Sequence, residues 1–134
     1  MVSRKFHESK DHKTTILKAS GYKGIGREMS SEDFITRLIA ICTLNELYKD
    51  KRMLYDDFVI TAKSKCADDD EYNTTVGREI CNVKADLKYH RKMYDRYSMI
   101  AWVLWEVSKK LTKYIEMHQE KIERLERDLD QYVK

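Results

Sequence analysis

A seven-residue repeat runs without interruption from Val76 to Tyr132 and constrains this chain more than any other feature. Alternating steps of four and three residues place mostly apolar side chains at the a and d positions of a left-handed coiled coil. The chain has no proline and its last glycine is Gly77, so nothing beyond that point breaks a helix. The a and d positions are Val76, Ile80, Val83, Leu87, His90, Tyr94, Tyr97, Ala101, Leu104, Ser108, Leu111, Ile115, His118, Ile122, Leu125, Leu129 and Tyr132. At 1.5 Å per residue the helix would measure roughly 85 Å, so we expect it to pair with a second copy.

Three of these positions are polar and bear on how the helices pair. His90 and His118 occupy d positions and Ser108 an a position. Buried polar side chains cost stability but penalise wrong registers, which is the first interpretation. A paired His118 could instead titrate near neutral pH or bind a metal, although no cysteine or carboxylate lies beside it at ligand spacing.

Charges near the C-terminus favour a parallel pair. In that orientation Lys121 at g faces Glu126 at e of the second copy, and no g–e pair in this half is repulsive. Near the middle of the predicted helix, Met99–Trp105 is apolar on every face. A two-stranded coiled coil cannot cover all of these side chains. We therefore expect another part of the chain, or further helices, to pack there.

The first part of the chain is predicted to form a small layer. Residues 1–13 are expected to be a flexible basic arm, and Thr14–Ala19 an edge strand. Ser20–Arg27 contains three glycines with Lys23 and Arg27, which fits a turn or, alternatively, a loop that binds an anion through backbone N–H groups.

Two further elements complete this layer. Residues 31–48 have helical spacing behind the capping serines Ser30 and Ser31, although a strand remains open because the stretch is rich in β-branched residues. Met53–Lys65 alternates as a strand does. Four acids at 68–71 and the polar residues at 73–75 then fit a helix start, or alternatively a divalent-cation site.

These elements predict a mostly α, possibly α+β, fold. A small N-terminal layer of helix and strand, residues 1–73, would pack on a long coiled-coil helix, residues 74–134. The longest apolar run is too short for a bilayer span, and the polar start is no signal peptide. Three cysteines at no metal-ligand spacing favour a reducing, cytoplasmic setting. No nucleophile, metal or cofactor motif is present, so we expect a binding protein and not an enzyme.

The net charge is only +3, but basic residues are concentrated in the first half of the long helix. We predict that this surface, interleaved with Tyr89, Tyr94 and Tyr97, meets an anionic partner; a merely solvated face is the alternative. The predicted site residues are Arg78, Lys84, Lys88, Arg91, Lys92 and Arg96.

One segment resembles a family. The stretch Asp70-Glu71-Tyr72-Asn73, then Gly77, then Ile80-Cys81, then Lys84-Ala85 looks like a module of small proteins encoded by bacteriophages of Gram-positive hosts. It departs from that module with Lys84 where arginine is usual and Cys81 where alanine is usual. In the module this segment opens a long C-terminal helix. The layout is also similar to Thoeris anti-defence proteins, sponges that sequester cyclic ADP-ribose signals, but no ligand-contacting residue carries over.

Two functions follow as hypotheses. The first is an oligomeric phage protein in the host cytoplasm that counters a host defence or regulator by binding a protein or a nucleotide signal. The second is a dimeric DNA- or RNA-binding regulator, against which the modest net charge and the acidic run weigh.

Overall fold

A computed structural model describes residues 1–10, 13–47, 57–66 and 73–133. In chain order these form strands β1 (Ser3–Glu8) and β2 (Thr14–Tyr22) and helices α1 (Ile25–Glu28) and α2 (Phe34–Leu47). Strand β3 (Phe58–Lys65) and the long helix α3 (Thr74–Val133) follow. The described part is mostly helical, with one small antiparallel sheet, as the sequence predicted. The chain divides into two compact units, residues 1–97 and 98–134, whereas the predicted division lies at the start of α3.

The sheet has the order β1-β2-β3, so β2 is central and not the predicted edge strand. Residues 3–8, expected within a flexible arm, form β1 because Phe6 and its neighbours pair along β2, with Phe6 opposite Leu17. Next to the glycine-rich stretch, the β2–β3 register shifts between Ser20 and Tyr22. Gly21 lies there at φ 88°, and a Cβ would come within 2.9 Å of the Met1 carbonyl oxygen.

The core of the first unit lies between one face of the sheet and the start of α3. Alternation along the strands buries Leu17 and Ala19 of β2 and Ile60 and Ala62 of β3. From α3 the buried side chains follow a four-residue spacing: Gly77, Cys81, Ala85, Tyr89 and Met93. The Cys81 thiol lies 3.3 Å from the Thr15 carbonyl oxygen, so small residues let the helix backbone approach the sheet closely.

Helices α2 and α3 each begin with a side-chain cap, whereas α1 has none. Asn73 Oδ1 accepts the Thr75 and Val76 N–H groups at 3.0 and 3.3 Å, one of the caps predicted for the long helix. Helix α2 confirms the helical interpretation over the strand for Phe34–Leu47, whereas the helix was predicted from residue 31, and residue 48 lies outside the described residues. Asp33 caps it through the Thr36 N–H at 2.8 Å, in place of the predicted serines. Within β3, Phe58–Lys65 agrees with the predicted strand, whereas residues 53–56 and the acids at 68–71 lie outside the described residues.

The second unit consists, as far as it is described, of the remainder of α3. Ile100 is buried and Val103 half-buried, while Trp102 and Trp105 are more than half exposed. From Val107 to Val133 every described side chain is exposed. None of the described helices is long and apolar enough to cross a membrane.

Candidate functional site

Arg78, the first of the predicted basic residues, is neutralised within the chain. Its guanidinium lies 3.2 Å from a carboxylate oxygen of Glu8 and stacks 5.1 Å above the Phe6 ring centre. One turn along the helix from Arg78 the sequence has Asn82 and not an acid. The neutralising acid is on β1, which local spacing along the helix does not reveal.

The next two predicted residues bind the edge of the sheet. Lys84 Nζ donates to the Lys63 carbonyl oxygen at 2.8 Å, and Lys88 Nζ donates to the Thr61 carbonyl oxygen at 2.7 Å. These carbonyls belong to β3, an edge strand of the described sheet, so the lysines satisfy acceptors that no strand pairs with. A carbonyl group is neutral, and both lysines keep their full positive charge.

The remaining three predicted residues lie further along α3. Lys92 and Arg96 extend over the Phe58 ring, at 5.8 and 4.4 Å from its centre. Arg91 is exposed, and no ion pair joins it to Asp95, the acid four residues along the helix. Lys84, Lys88, Lys92 and Arg96 thus follow one helix face beside β3, while Arg78 lies on the β1 side. The structure therefore divides the predicted site into two.

The β1 side of α3 carries a hydrogen-bonded group centred on Asp86. Its Oδ1 accepts the Tyr22 hydroxyl at 2.6 Å and the Arg4 guanidinium at 3.1 Å, and Arg4 also donates to Asn82. The Tyr22 hydroxyl, assisted by Arg4, lowers the pKa of Asp86 below its usual range. This group fastens both β1 and β2 to the helix.

The tyrosines offered as stacking surfaces have mostly structural contacts. Tyr89 is buried, stacks on Tyr22 with ring centres 4.8 Å apart and donates to the Lys23 carbonyl oxygen at 2.8 Å. Tyr97 is half-buried, and burial together with Glu28 raises the pKa of its hydroxyl. Of the three, only Tyr94 is well exposed, at 73%.

The glycine-rich stretch does surround an anion, but one that the chain supplies. The Gly24 N–H donates to Asp57 Oδ1 at 3.2 Å, and the Arg27 guanidinium pairs with Asp57 Oδ2. The Arg27 contact lowers the pKa of the Asp57 carboxyl. The alternative of a phosphate loop is therefore not supported here, because a carboxylate already occupies these donors.

A second face of α3 remains exposed in the single chain. One residue turns a helix by about 100°, so the repeat positions in the first unit lie roughly opposite the buried stripe. Val76, Ile80, Val83 and Leu87 are 40–66% exposed, and all of them are a or d positions. In the second unit Leu111, Ile115, Ile122, Leu125 and Leu129 are 51–66% exposed. We call this set of a and d residues the heptad face.

The sheet also has an exposed face that was not among the predicted sites. Every second strand residue points away from α3: Ser3, Lys5, His7, Thr14, Ile16, Lys18, Ser20, Val59, Thr61, Lys63 and Lys65. We call this the open face. Its signal in the sequence was the two-residue alternation of β2 and β3, which places Lys18, Lys63 and Lys65 on the same side once the strands are paired.

Within the described ranges, no three His, Cys, Asp or Glu side chains cluster closely enough to hold a metal ion. Cys81 is fully buried, and burial raises the pKa of its thiol, which keeps it an unreactive packing residue. Comparisons of the chain with protein-family models, with curated protein sequences and with solved structures found no match.

Proposed function

We propose that the protein is a non-enzymatic binding protein that pairs with a second copy of itself through the heptad face of α3. The observation that carries the proposal is the exposure of that face. Val83 and Leu125, in different units, are 66% and 64% exposed. Burying such apolar area is favourable by roughly 25 cal/mol per Å².

The chemistry of the face favours a second copy over an unrelated helix. An a/d face that keeps one period from Val76 to Tyr132 is complementary to itself, as a symmetric interface requires. Lys121 at g would also meet Glu126 at e of the second copy. The pair would be a parallel, in-register coiled coil.

Cysteine cross-linking tests this arrangement. In a Cys42→Ser, Cys66→Ser background, His118→Cys places one thiol at a d position, where parallel in-register helices bring two copies together. Mild oxidation should convert most of this variant into covalent dimers. Glu120→Cys is the matched control, because its f position faces away from the second helix. Equal cross-linking of both variants, or none at position 118, would contradict the parallel pair.

For the biological role we propose a phage-encoded protein, acting in the host cytoplasm, that counters a host defence or regulator. It would bind a host protein or a nucleotide signal, with nucleic acid as the alternative partner. The support is the resemblance of residues 70–85 to phage proteins and the layout of a small sheet on a long helix. Titration calorimetry with cyclic ADP-ribose tests the hypothesis of a nucleotide signal. Heat that saturates at one ligand per binding site supports it, and the absence of heat at micromolar protein counts against it.

A dimeric DNA- or RNA-binding regulator is the second candidate. One observation favours it, namely the lysines of the open face. The expected flexible basic arm, residues 1–13, instead contains β1, and Arg78 is neutralised by Glu8. Nucleic acid would therefore have to bind the sheet.

A further inference from the structure

We infer that the open face of the sheet binds the phosphate backbone of a nucleic acid. This surface lies on β1, β2 and β3 and shares no residue with the heptad face. The inference does not depend on self-pairing; it rests on the second candidate function, nucleic-acid binding, and names the surface and the part of the nucleic acid that meet.

The first argument is the sign of the charge. Four lysines, Lys5, Lys18, Lys63 and Lys65, point outward from the three strands and are exposed. None of the outward strand residues is an Asp or Glu. Glu8, the one acid within the described strands, faces α3 and pairs with Arg78.

The second argument is the register, which places like charges side by side. Lys5 lies directly opposite Lys18 across β1 and β2, and Lys63 lies opposite Ile16, two residues along β2 from Lys18. Directly opposed like charges destabilise a sheet. A partner that supplies negative charge would remove this repulsion.

The charged surface continues around the edge of β3. The ammonium groups of Lys84 and Lys88 lie on the carbonyl groups of Lys63 and Thr61. An ammonium has three N–H donors, so each lysine retains two for an anion. Together with the four strand lysines they make six cations that no described carboxylate pairs with.

The uncharged side chains of the open face indicate which kind of anionic partner it binds. The outward strand residues include no Phe, Tyr or Trp; the imidazole of His7 is the one ring among them, and the apolar ones are Ile16 and Val59. Bases would find only the imidazole of His7 to stack on, and a membrane would find only two aliphatic side chains as anchors. The surface fits phosphates, so binding should be independent of base sequence and sensitive to salt.

Fluorescence anisotropy with a labelled duplex DNA of roughly 20 base pairs tests the inference. Binding of four to six phosphates predicts that affinity falls about 10²- to 10³-fold between 50 and 200 mM salt. The variant Lys5→Gln, Lys18→Gln, Lys63→Gln, Lys65→Gln should bind at least about tenfold more weakly at the lower salt. The corresponding Lys→Arg variant should bind as the unchanged protein does.

A control removes equal charge elsewhere. Lys23→Gln, Lys110→Gln, Lys113→Gln, Arg127→Gln changes four exposed cations outside the sheet and should change affinity by less than about threefold. Equal losses in both variants, or no binding by the unchanged protein at 50 mM salt, would overturn the inference. Binding to anionic lipid vesicles but not to DNA would overturn it too. A Leu125→Asp, Leu129→Asp variant should still bind the duplex, which separates this result from a failure of pairing.

A single substitution gives an independent readout. Lys18→Glu replaces the Lys5–Lys18 repulsion by an attraction, so its melting temperature should rise by a few degrees. Its affinity for the duplex should nevertheless fall. A variant that is more stable and still binds normally would show that these lysines only solvate the sheet.

Discussion

At the scale of single residues, the carboxylate of Asp86 fastens two strands of the sheet to α3. It accepts hydrogen bonds from Tyr22 and Arg4, side chains of two different strands. Those bonds favour the charged form, which is why the pKa of Asp86 is lowered. A group with a lowered folded-state pKa stabilises the fold above its unfolded pKa, and this stabilisation is lost as the pH falls through the folded value.

Asp86→Asn should therefore reduce stability at pH 7 by about 1 kcal/mol, since the carboxylate is half exposed and the amide keeps one acceptor. Urea denaturation at pH 7 and at pH 3 measures the effect. The difference between the two proteins should begin to shrink as the pH falls below about 4, the ordinary pKa of the carboxyl in the unfolded chain, and should vanish only below the lowered pKa of the folded state. Asp95→Asn is the control, because Asp95 is exposed on the same helix and has no described ion pair. A difference that stays constant with pH would contradict this account.

At the scale of elements, α3 presents two faces with different spacings. The face with four-residue spacing begins with Gly77, Cys81 and Ala85, which are small, and packs on the sheet. The heptad face carries larger aliphatic residues and stays exposed in the single chain. Residue size therefore distinguishes the face that packs on the sheet from the heptad face, which in our proposal pairs with a second copy of the chain.

Ala85→Leu should be destabilising by about 1–3 kcal/mol, because the added atoms have no space between α3 and the sheet. Ala101→Leu, at an exposed a position of the same helix, should be neutral or stabilising. Thermal unfolding of both variants measures this contrast. If Ala85→Leu unfolded at the temperature of the unchanged protein, close packing at this site would be refuted.

The start of α3 depends on Asn73. Asn73→Ala removes the acceptor for two N–H groups and should cost about 1 kcal/mol of stability. Asn73→Asp keeps a capping oxygen and should behave like the unchanged protein. Denaturant midpoints of the two variants provide the measurement, and equal midpoints would show that the cap contributes nothing.

At the scale of the whole molecule, periodic elements were predictable from the sequence and their mutual arrangement was not. The long helix, its Asn73 cap and β3 follow from local patterns. Strand β1 was missed because its inward residues Arg4 and Glu8 are charged and find their partners on α3. The four-residue spacing was missed because Gly77 and Ala85 contribute little hydrophobicity. The open face was missed because it requires the register of three strands.

The molecular mass in solution tests the central claim that α3 pairs through its heptad face. Light scattering across the micromolar range should give twice the 16.0 kDa mass of one chain, or a multiple of that pair. Replacing exposed heptad residues, as in Leu87→Asp with Leu125→Asp, should return the mass to one chain without loss of the sheet. A mass of 16.0 kDa for the unchanged protein at every concentration would contradict the claim.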